Sequence, residues 1–204
     1  MLTAEEALAR LRQGNQRFVA NETATPPLND AARRAALVAG QEPFAIILGC
    51  SDSRVPAELV FDQGFGDLFV IRVAGNIVAP SQIGSVEFCA ARYDARLVVV
   101  MGHSQCGAIL ATLDDVLGLA SSHSRNLRSI VDRVRPSIET LLAGREERDT
   151  EALVREAVRA NVRASVDHLR HGSELLERMV QNDGMLVVGA EYSLETGVVS
   201  FLEQ

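Results

Sequence analysis

The chain of 204 residues contains no lysine, and all 20 of its basic residues are arginine. This absence excludes enzymes that form a Schiff base or hold pyridoxal phosphate on a lysine amine, and it excludes a phosphate loop ending in Gly-Lys-Ser/Thr. The net charge of −7 argues against a nucleic-acid partner, because such proteins need a basic surface. No GxGxxG pattern follows a predicted strand, so a dinucleotide site is not indicated.

Long apolar runs are also missing. No run reaches the roughly 18 residues that a membrane-spanning helix needs, and the first residues lack the basic and apolar stretches of a signal peptide. We therefore expect a cytoplasmic protein with no membrane partner. Its three cysteines are an odd number in a reducing compartment, which argues against a disulfide framework and leaves packing, metal binding or catalysis for each.

Four short apolar runs predict the strands of a sheet, at residues 44–48, 67–73, 97–101 and 185–190. The runs are rich in Val and Ile and are continuous rather than alternating, which is typical of strands buried on both faces of a parallel sheet. Predicted helices lie between them, at 82–93 and 107–117. The alternation predicts an α/β fold with a central, mostly parallel sheet flanked by helices. A last short strand is predicted within 197–202.

The two ends of the chain read as helical. Thr3 and Glu6 fit a capping box at the start of a helix that runs to about Val19. An extended segment with Pro26-Pro27 and a short helix at 30–38 follow. Residues 122–181 lack strand signals and predict a helical C-terminal half, with a break at 144–149 and a stop near 172. No linker is evident, so we predict one domain over 1–204, with 1–40 as an N-terminal helical arm.

Two loops carry the residues suited to chemistry. The loop Cys-Ser-Asp-Ser-Arg at 50–54 and the loop His-Ser-Gln-Cys-Gly at 103–107 each follow a predicted buried strand. Sites in open α/β sheets form at the carboxyl ends of strands. Thiolates and an imidazole suit Zn²⁺. The sequence therefore predicts one zinc ion on Cys50, His103 and Cys106, with a fourth position left open as in catalytic sites.

The remaining cysteine and histidines fit structural roles. Cys89 lies in a predicted helix, which favours core packing. The other three histidines lie in polar helical segments and are predicted to be on the surface: His123, His168 and His171.

The two loops together resemble the signature of the β-class carbonic anhydrases, which is Cys-x-Asp-x-Arg followed by His-x-x-Cys. Further matches extend over nearly the whole chain, at Gly14-Asn15, Arg17-Phe18, 72–76, Gly189-Ala190 and Thr196-Gly197. The resemblance implies that the chain binds one Zn²⁺ through the three ligands above. It also implies the reversible hydration of carbon dioxide to bicarbonate and a proton.

The resemblance implies roles for six further residues. Asp52 and Arg54 match a catalytic dyad, in which Asp52 orients a zinc-bound hydroxide and Arg54 keeps Asp52 ionised and off the metal. The pocket for CO₂ and bicarbonate is matched by four residues: Gln41, Phe69, Ala74 and Gly107. In the family these come partly from the adjacent subunit, so a homodimer embraced by the N-terminal arm is the expected minimal unit, with a tetramer as a larger form.

The family has an open type and an allosteric type, and the absence of tryptophan bears on that choice. The allosteric type binds bicarbonate away from zinc through a Trp, at a position where this chain has Ile47. Arg72 and Tyr192 match the other two members of that site, but without the Trp it is incomplete, so we expect the open type. Two other positions depart from common family residues: Ala74, where some members have Val, and Phe88, where plant-like members have Tyr.

Two alternatives stay open at this point. The same zinc chemistry could act on carbon disulfide or carbonyl sulfide instead of CO₂. A different class is a noncatalytic zinc module in which Asp52 permanently closes the tetrahedron. The presence of Arg54 argues against the second, because a structural zinc site has no need of that partner.

Overall fold

A computed structural model of the chain describes residues 2–22, 30–119, 124–143 and 150–203. Its helices are α1 (Ala4–Ala20), α2 (Ala31–Ala36), α3 (Ala57–Val60), α4 (Pro80–Tyr93), α5 (Gly107–Val116), α6 (Arg125–Leu142), α7 (Thr150–His171) and α8 (Glu174–Asn182). Its strands are β1 (Ala45–Gly49), β2 (Leu68–Arg72), β3 (Leu97–His103), β4 (Leu186–Tyr192) and β5 (Val199–Phe201). Short 3₁₀ turns lie at Leu37–Ala39 and Ala74–Asn76.

The five strands form one sheet in the order β2-β1-β3-β4-β5. The first four are parallel, and β5 is antiparallel to β4. Every residue of β1 and β3 is buried, because alternate side chains enter two separate cores. Ile47 packs on the side that holds α1, while Ile46 packs on the side that holds α4, α7 and α8. The predicted α/β class with a mostly parallel sheet is confirmed.

The predicted strands are confirmed with shifted ends. The largest shifts are in β3 and β4, which each run two residues beyond the predicted 97–101 and 185–190 because the two strands continue to pair with each other. His103 pairs with Tyr192 and is therefore the last residue of a strand, whereas the sequence placed it in the following loop. The short helix α3 was not predicted, since its four residues are too few to show a helical period.

The helix α1 packs against its own sheet. Thr3 and Glu6 form the predicted capping box, and Leu11 is fully buried in the core. A Cβ on Gly14 would lie 1.8 Å from the carbonyl oxygen of Phe61, so only glycine permits this approach. Asn15 connects α1 to two other segments through three hydrogen bonds. Its amide donates to the carbonyl oxygens of Val60 and Gly197, and its Oδ1 accepts from the N–H of Val199. The residues 23–29, with Pro26-Pro27, lie outside the described part.

The described C-terminal half consists of the three helices α6, α7 and α8 before β4. The helix α7 ends at His171, next to the predicted stop at Gly172. His168 and His171 are exposed, as predicted, while His123 and the predicted break at 144–149 lie outside the described residues. No described helix is long and apolar enough to cross a membrane.

Cys89 is confirmed as a packing residue. Its side chain is fully buried between α4 and the sheet. Burial raises the pKa of this thiol to about 12, so it stays protonated at neutral pH.

Candidate metal centre and active site

Three buried residues that could bind a metal ion meet at the carboxyl edge of the sheet. Cys50 directly follows β1, His103 ends β3, and Cys106 directly precedes α5. Since β1 and β3 are paired and parallel, their ends lie side by side. The ligand atoms of the three residues all lie within 4.8 Å of one another. The two sulfur atoms are 4.0 Å apart, close to the separation of about 3.8 Å for two thiolates of one tetrahedral zinc ion.

The imidazole of His103 shows that the cluster fits a metal ion. The side chain is 0% exposed. Its Nδ1 lies 2.9 Å from the carbonyl oxygen of Ser104, which can only accept a hydrogen bond, so Nδ1 carries the proton. Nε2 then presents a buried lone pair that has no hydrogen-bond partner among the described residues. Such an unpaired group is costly unless a ligand satisfies it, and a cation between the two sulfurs would do so.

The thiols of Cys50 and Cys106 share a hydrogen bond that favours a thiolate on Cys50. The pKa of Cys50 is lowered to about 4, chiefly because the Cys106 thiol donates a hydrogen bond to it, against the opposing effect of burial. The pKa of Cys106 is raised, because that thiol gives its proton to the bond with Cys50 and is itself buried. A dication in place of the shared proton would stabilise both sulfurs as thiolates.

Asp52 and Arg54 form a two-pronged ion pair beside the cluster. Arg54 donates from Nε to Oδ1 at 2.9 Å and from Nη2 to Oδ2 at 2.7 Å, and its backbone N–H also reaches Oδ1. These hydrogen bonds hold the pKa of Asp52 well below its usual range, so the carboxylate is ionised at neutral pH. Its Oδ2 lies 3.9 Å from Nε2 of His103, which places the negative charge next to the ligand atoms.

Arg72 fastens the loop that carries Cys50 and Asp52. It is the last residue of β2, in register with Gly49 at the end of β1. Its guanidinium donates from Nε to the Cys50 carbonyl at 3.0 Å and from Nη2 to the Asp52 carbonyl at 2.5 Å. The sequence linked Arg72 to the family match at 72–76 and to an incomplete bicarbonate site, but it did not indicate this contact. The strand-end position beside β1 was the signal that could have indicated it.

Two of the predicted pocket residues lie at the metal edge. Ala74 begins the 3₁₀ turn after β2, and the next residue, Gly75, donates its backbone N–H to the sulfur of Cys50 at 3.4 Å. Gly107 directly follows Cys106 at the start of α5.

The other two predicted pocket residues lie at the opposite edge. Gln41 precedes β1, and its amide donates to the hydroxyl of Tyr93 at 3.2 Å. Phe69 stands near the start of β2 and contacts the rings of Phe88 and Tyr93, with centroids 6.2 Å and 6.4 Å away. The five-residue strand β1 separates Gln41 from Cys50, a span of roughly 16 Å. A single chain therefore does not bring Gln41 and Phe69 to its own metal cluster.

A model of the carbonic anhydrase family matches residues 45–199, which include the three metal-binding candidates and the Asp52–Arg54 pair. Carbonic anhydrase 2 of Mycobacterium tuberculosis is 38% identical over 187 residues, covering 92% of this chain and 87% of the relative. The chain belongs to the β-carbonic anhydrase family. It is thus a member of an enzyme family, and the two loops at 50–54 and 103–107 both lie within the matched region.

Other relatives of the family agree in extent and in fold. The carbonic anhydrase of Mycolicibacterium smegmatis is 39% identical over 189 residues, covering 93% of this chain and 88% of that protein. A β-carbonic anhydrase of Aspergillus fumigatus superimposes with a TM-score of 0.76 at 23% identity, over 98% of this chain and 90% of its own. A tetrameric β-carbonic anhydrase of Sordaria macrospora gives 0.75 at 23% identity, over 94% of each chain. These two structures support the fold alone.

Proposed function

We propose that this chain catalyses the reversible hydration of CO₂ to bicarbonate and a proton, with one Zn²⁺ held by Cys50, His103 and Cys106. The observation that carries the proposal is the buried Nε2 of His103, which has no hydrogen-bond partner in the described part of the chain and lies close to the sulfur atoms of Cys50 and Cys106. Zinc bound to such a donor set lowers the pKa of water, so that an oxygen nucleophile is available near neutral pH.

Asp52 orients the nucleophile in this proposal. Its ionised carboxylate accepts the hydrogen of the attacking oxygen, which directs a lone pair of that oxygen at the carbon of CO₂. Both carboxylate oxygens are already bound by Arg54, which keeps Asp52 away from the metal. This arrangement supports the open type, and it favours a catalytic centre over a noncatalytic module in which Asp52 would be the fourth ligand.

The substrate pocket is completed by a second copy of the chain in this proposal. CO₂ is small and apolar, so it needs a few apolar walls and one hydrogen-bond donor. Ala74 and Gly107 lie at the metal edge, while Gln41 and Phe69 lie at the far edge, beside the half-exposed ring of Phe88. A homodimer that sets the far edge of one subunit against the metal edge of the other would bring all four together, and a tetramer would be built from such dimers.

The dimer predicts that a variant of reduced activity and an inactive variant complement each other. Gln41→Ala chains keep the metal but lack the pocket amide, and we expect them to lose about tenfold in rate. His103→Ala chains lack the metal but supply Gln41. Random pairing after co-expression gives half mixed dimers with one intact site each, so activity should rise to about one quarter of the wild type. Gln41→Ala mixed with a Gln41→Ala, His103→Ala double variant is the control, and an equal activity in both mixtures would contradict the shared site.

The direct test is metal analysis combined with a CO₂ hydration assay between pH 6 and 9. We expect one zinc ion per chain and a rate that rises toward alkaline pH. Two thiolates neutralise more of the metal's charge than imidazoles do, so water at this site should be less acidic than at a three-histidine site. Asp52 does not produce the rise, because its lowered pKa keeps it ionised throughout this range.

Three outcomes would count against the proposal. A zinc-free active protein would remove the assigned cofactor, and a rate that is flat from pH 6 to 9 would remove the argument from thiolate charge. Faster release of sulfide from carbonyl sulfide or carbon disulfide than hydration of CO₂, in the same preparation, would favour the alternative substrate class.

The cytoplasmic location stays a prediction from the sequence.

A further inference from the structure

We propose that Asn161 is a positioning residue for the metal centre, acting through Gly75 on the sulfur of Cys50. The inference rests on the proposed function in that it takes Cys50 as a metal ligand. It assigns to α7, a helix with no ligand residue, a part in setting the electron density of one thiolate.

The contact from α7 is direct and buried. Asn161 is 2% exposed, and its Nδ2 donates to the carbonyl oxygen of Gly75 at 2.8 Å. One turn later, the hydroxyl of Ser165 donates to the carbonyl oxygen of Asn76 at 3.2 Å. Residues four apart lie on the same face of a helix, so α7 holds two successive carbonyls of one turn. Apart from Ser165, the buried residues of α7 nearest to Asn161 are apolar, among them Val158 and Val162.

The turn held in this way is one that needs support. Gly75 has φ +70° and Asn76 has φ 43°, so two successive residues are left-handed. Such a conformation is costly for a non-glycine residue and persists where surrounding contacts fix it. A Cβ on Gly75 would lie 3.1 Å from that of Ala108, so the turn is also tight against α5, which begins after Cys106.

The same turn delivers a hydrogen bond to the metal centre. The backbone N–H of Gly75 donates to the sulfur of Cys50 at 3.4 Å. A donor on a thiolate withdraws electron density from it and fixes the direction in which its remaining lone pairs point. The N–H and the C=O of Gly75 are joined through a single Cα, and the turn packs tightly against Ala108, so holding the carbonyl also restricts the donor. Asn161 thereby acts on Cys50 without touching it.

Cobalt-substituted protein offers a readout that activity does not. In Asn161→Ala and Asn161→Asp the Gly75 N–H loses its alignment, so the sulfur-to-cobalt charge-transfer band should move to lower energy. A chelator should also remove zinc from these variants about tenfold faster than from the wild type. Ser165→Ala is the matched control, because it removes a bond from the same helix face to the same turn, one peptide farther from Cys50. We expect its band and its rate of zinc loss to match the wild type.

The outcomes separate the proposal from its premise. Folded Asn161 variants with the wild-type band and rate would overturn it, and so would equal changes in the Ser165 variant, which would indicate a structural role alone. If Cys50→Ser leaves the cobalt spectrum unchanged, Cys50 is not a ligand and the proposed function itself fails. Should Asn161→Ala not fold, a comparison of Asn161→Asp with wild-type protein, both loaded with ¹¹³Cd, decides. A coupling between the Gly75 amide proton and cadmium is expected across the hydrogen bond in the wild type and should be lost in Asn161→Asp; its absence from the wild type, or an equal coupling in both proteins, would overturn the proposal.

Discussion

Replacing Arg54 by alanine is expected to lower the rate of CO₂ hydration by about 10²- to 10³-fold while leaving one zinc ion per chain. Among the described residues, Arg54 makes no hydrogen bond to the side chains of Cys50, His103 or Cys106, but it binds both oxygens of Asp52. Without that fork the carboxylate is free to rotate or to bind the metal at the position that water needs. Its pKa would rise toward the ordinary carboxyl value, which still leaves it ionised at pH 7. The loss is therefore one of orientation, and raising the pH should not restore activity.

Two control variants make this measurement specific. Arg54→Lys keeps the charge but loses the planar fork, so we expect only partial recovery relative to alanine. Arg128→Ala removes an exposed arginine from α6 and should behave as wild type. Zinc content, kcat and KM are measured for all three. An Arg54→Ala protein that is both zinc-replete and fully active would remove Asp52 and Arg54 from the mechanism.

The clustering of Cys50, His103 and Cys106 was predictable because two local signals coincide. Continuous Val- and Ile-rich runs indicate buried parallel strands, and parallel strands place the residues that follow them at one edge. Cys50 and His103 stand at the ends of two such runs, and the structure pairs these strands as neighbours. The pairing of Asp52 with Arg54 needs only two residues of separation within one loop, so it too lies within reach of sequence patterns.

The supporting contacts were not predictable, because they depend on packing between distant segments. Asn161 binds Gly75 only because α7 crosses the sheet at that point, and no local pattern encodes the crossing. One signal was available, since an asparagine at a helical position flanked by buried valines indicates a polar group with a buried partner. The separation of Gln41 and Phe69 from the metal edge likewise became visible only with the register of β1 and β2.

Replacing Cys50 by serine is expected to abolish stoichiometric zinc binding. The rate of CO₂ hydration should therefore fall by about 10³-fold or more. A serine hydroxyl is a poor ligand for zinc, and the lone pair of His103 would again lack a partner in the apolar interior.

Cys89→Ser is the matched control, because both thiols are buried but Cys89 lies away from the cluster. Burying a hydroxyl in that core should cost about 1–3 kcal/mol in the free energy of unfolding, yet zinc and activity should remain. Zinc content, hydration rate and urea unfolding of the two variants therefore separate the two effects, since one variant loses the metal and the other loses mainly stability. A Cys50→Ser protein that keeps one zinc ion and the wild-type rate would show that Cys50 is not needed to hold the metal.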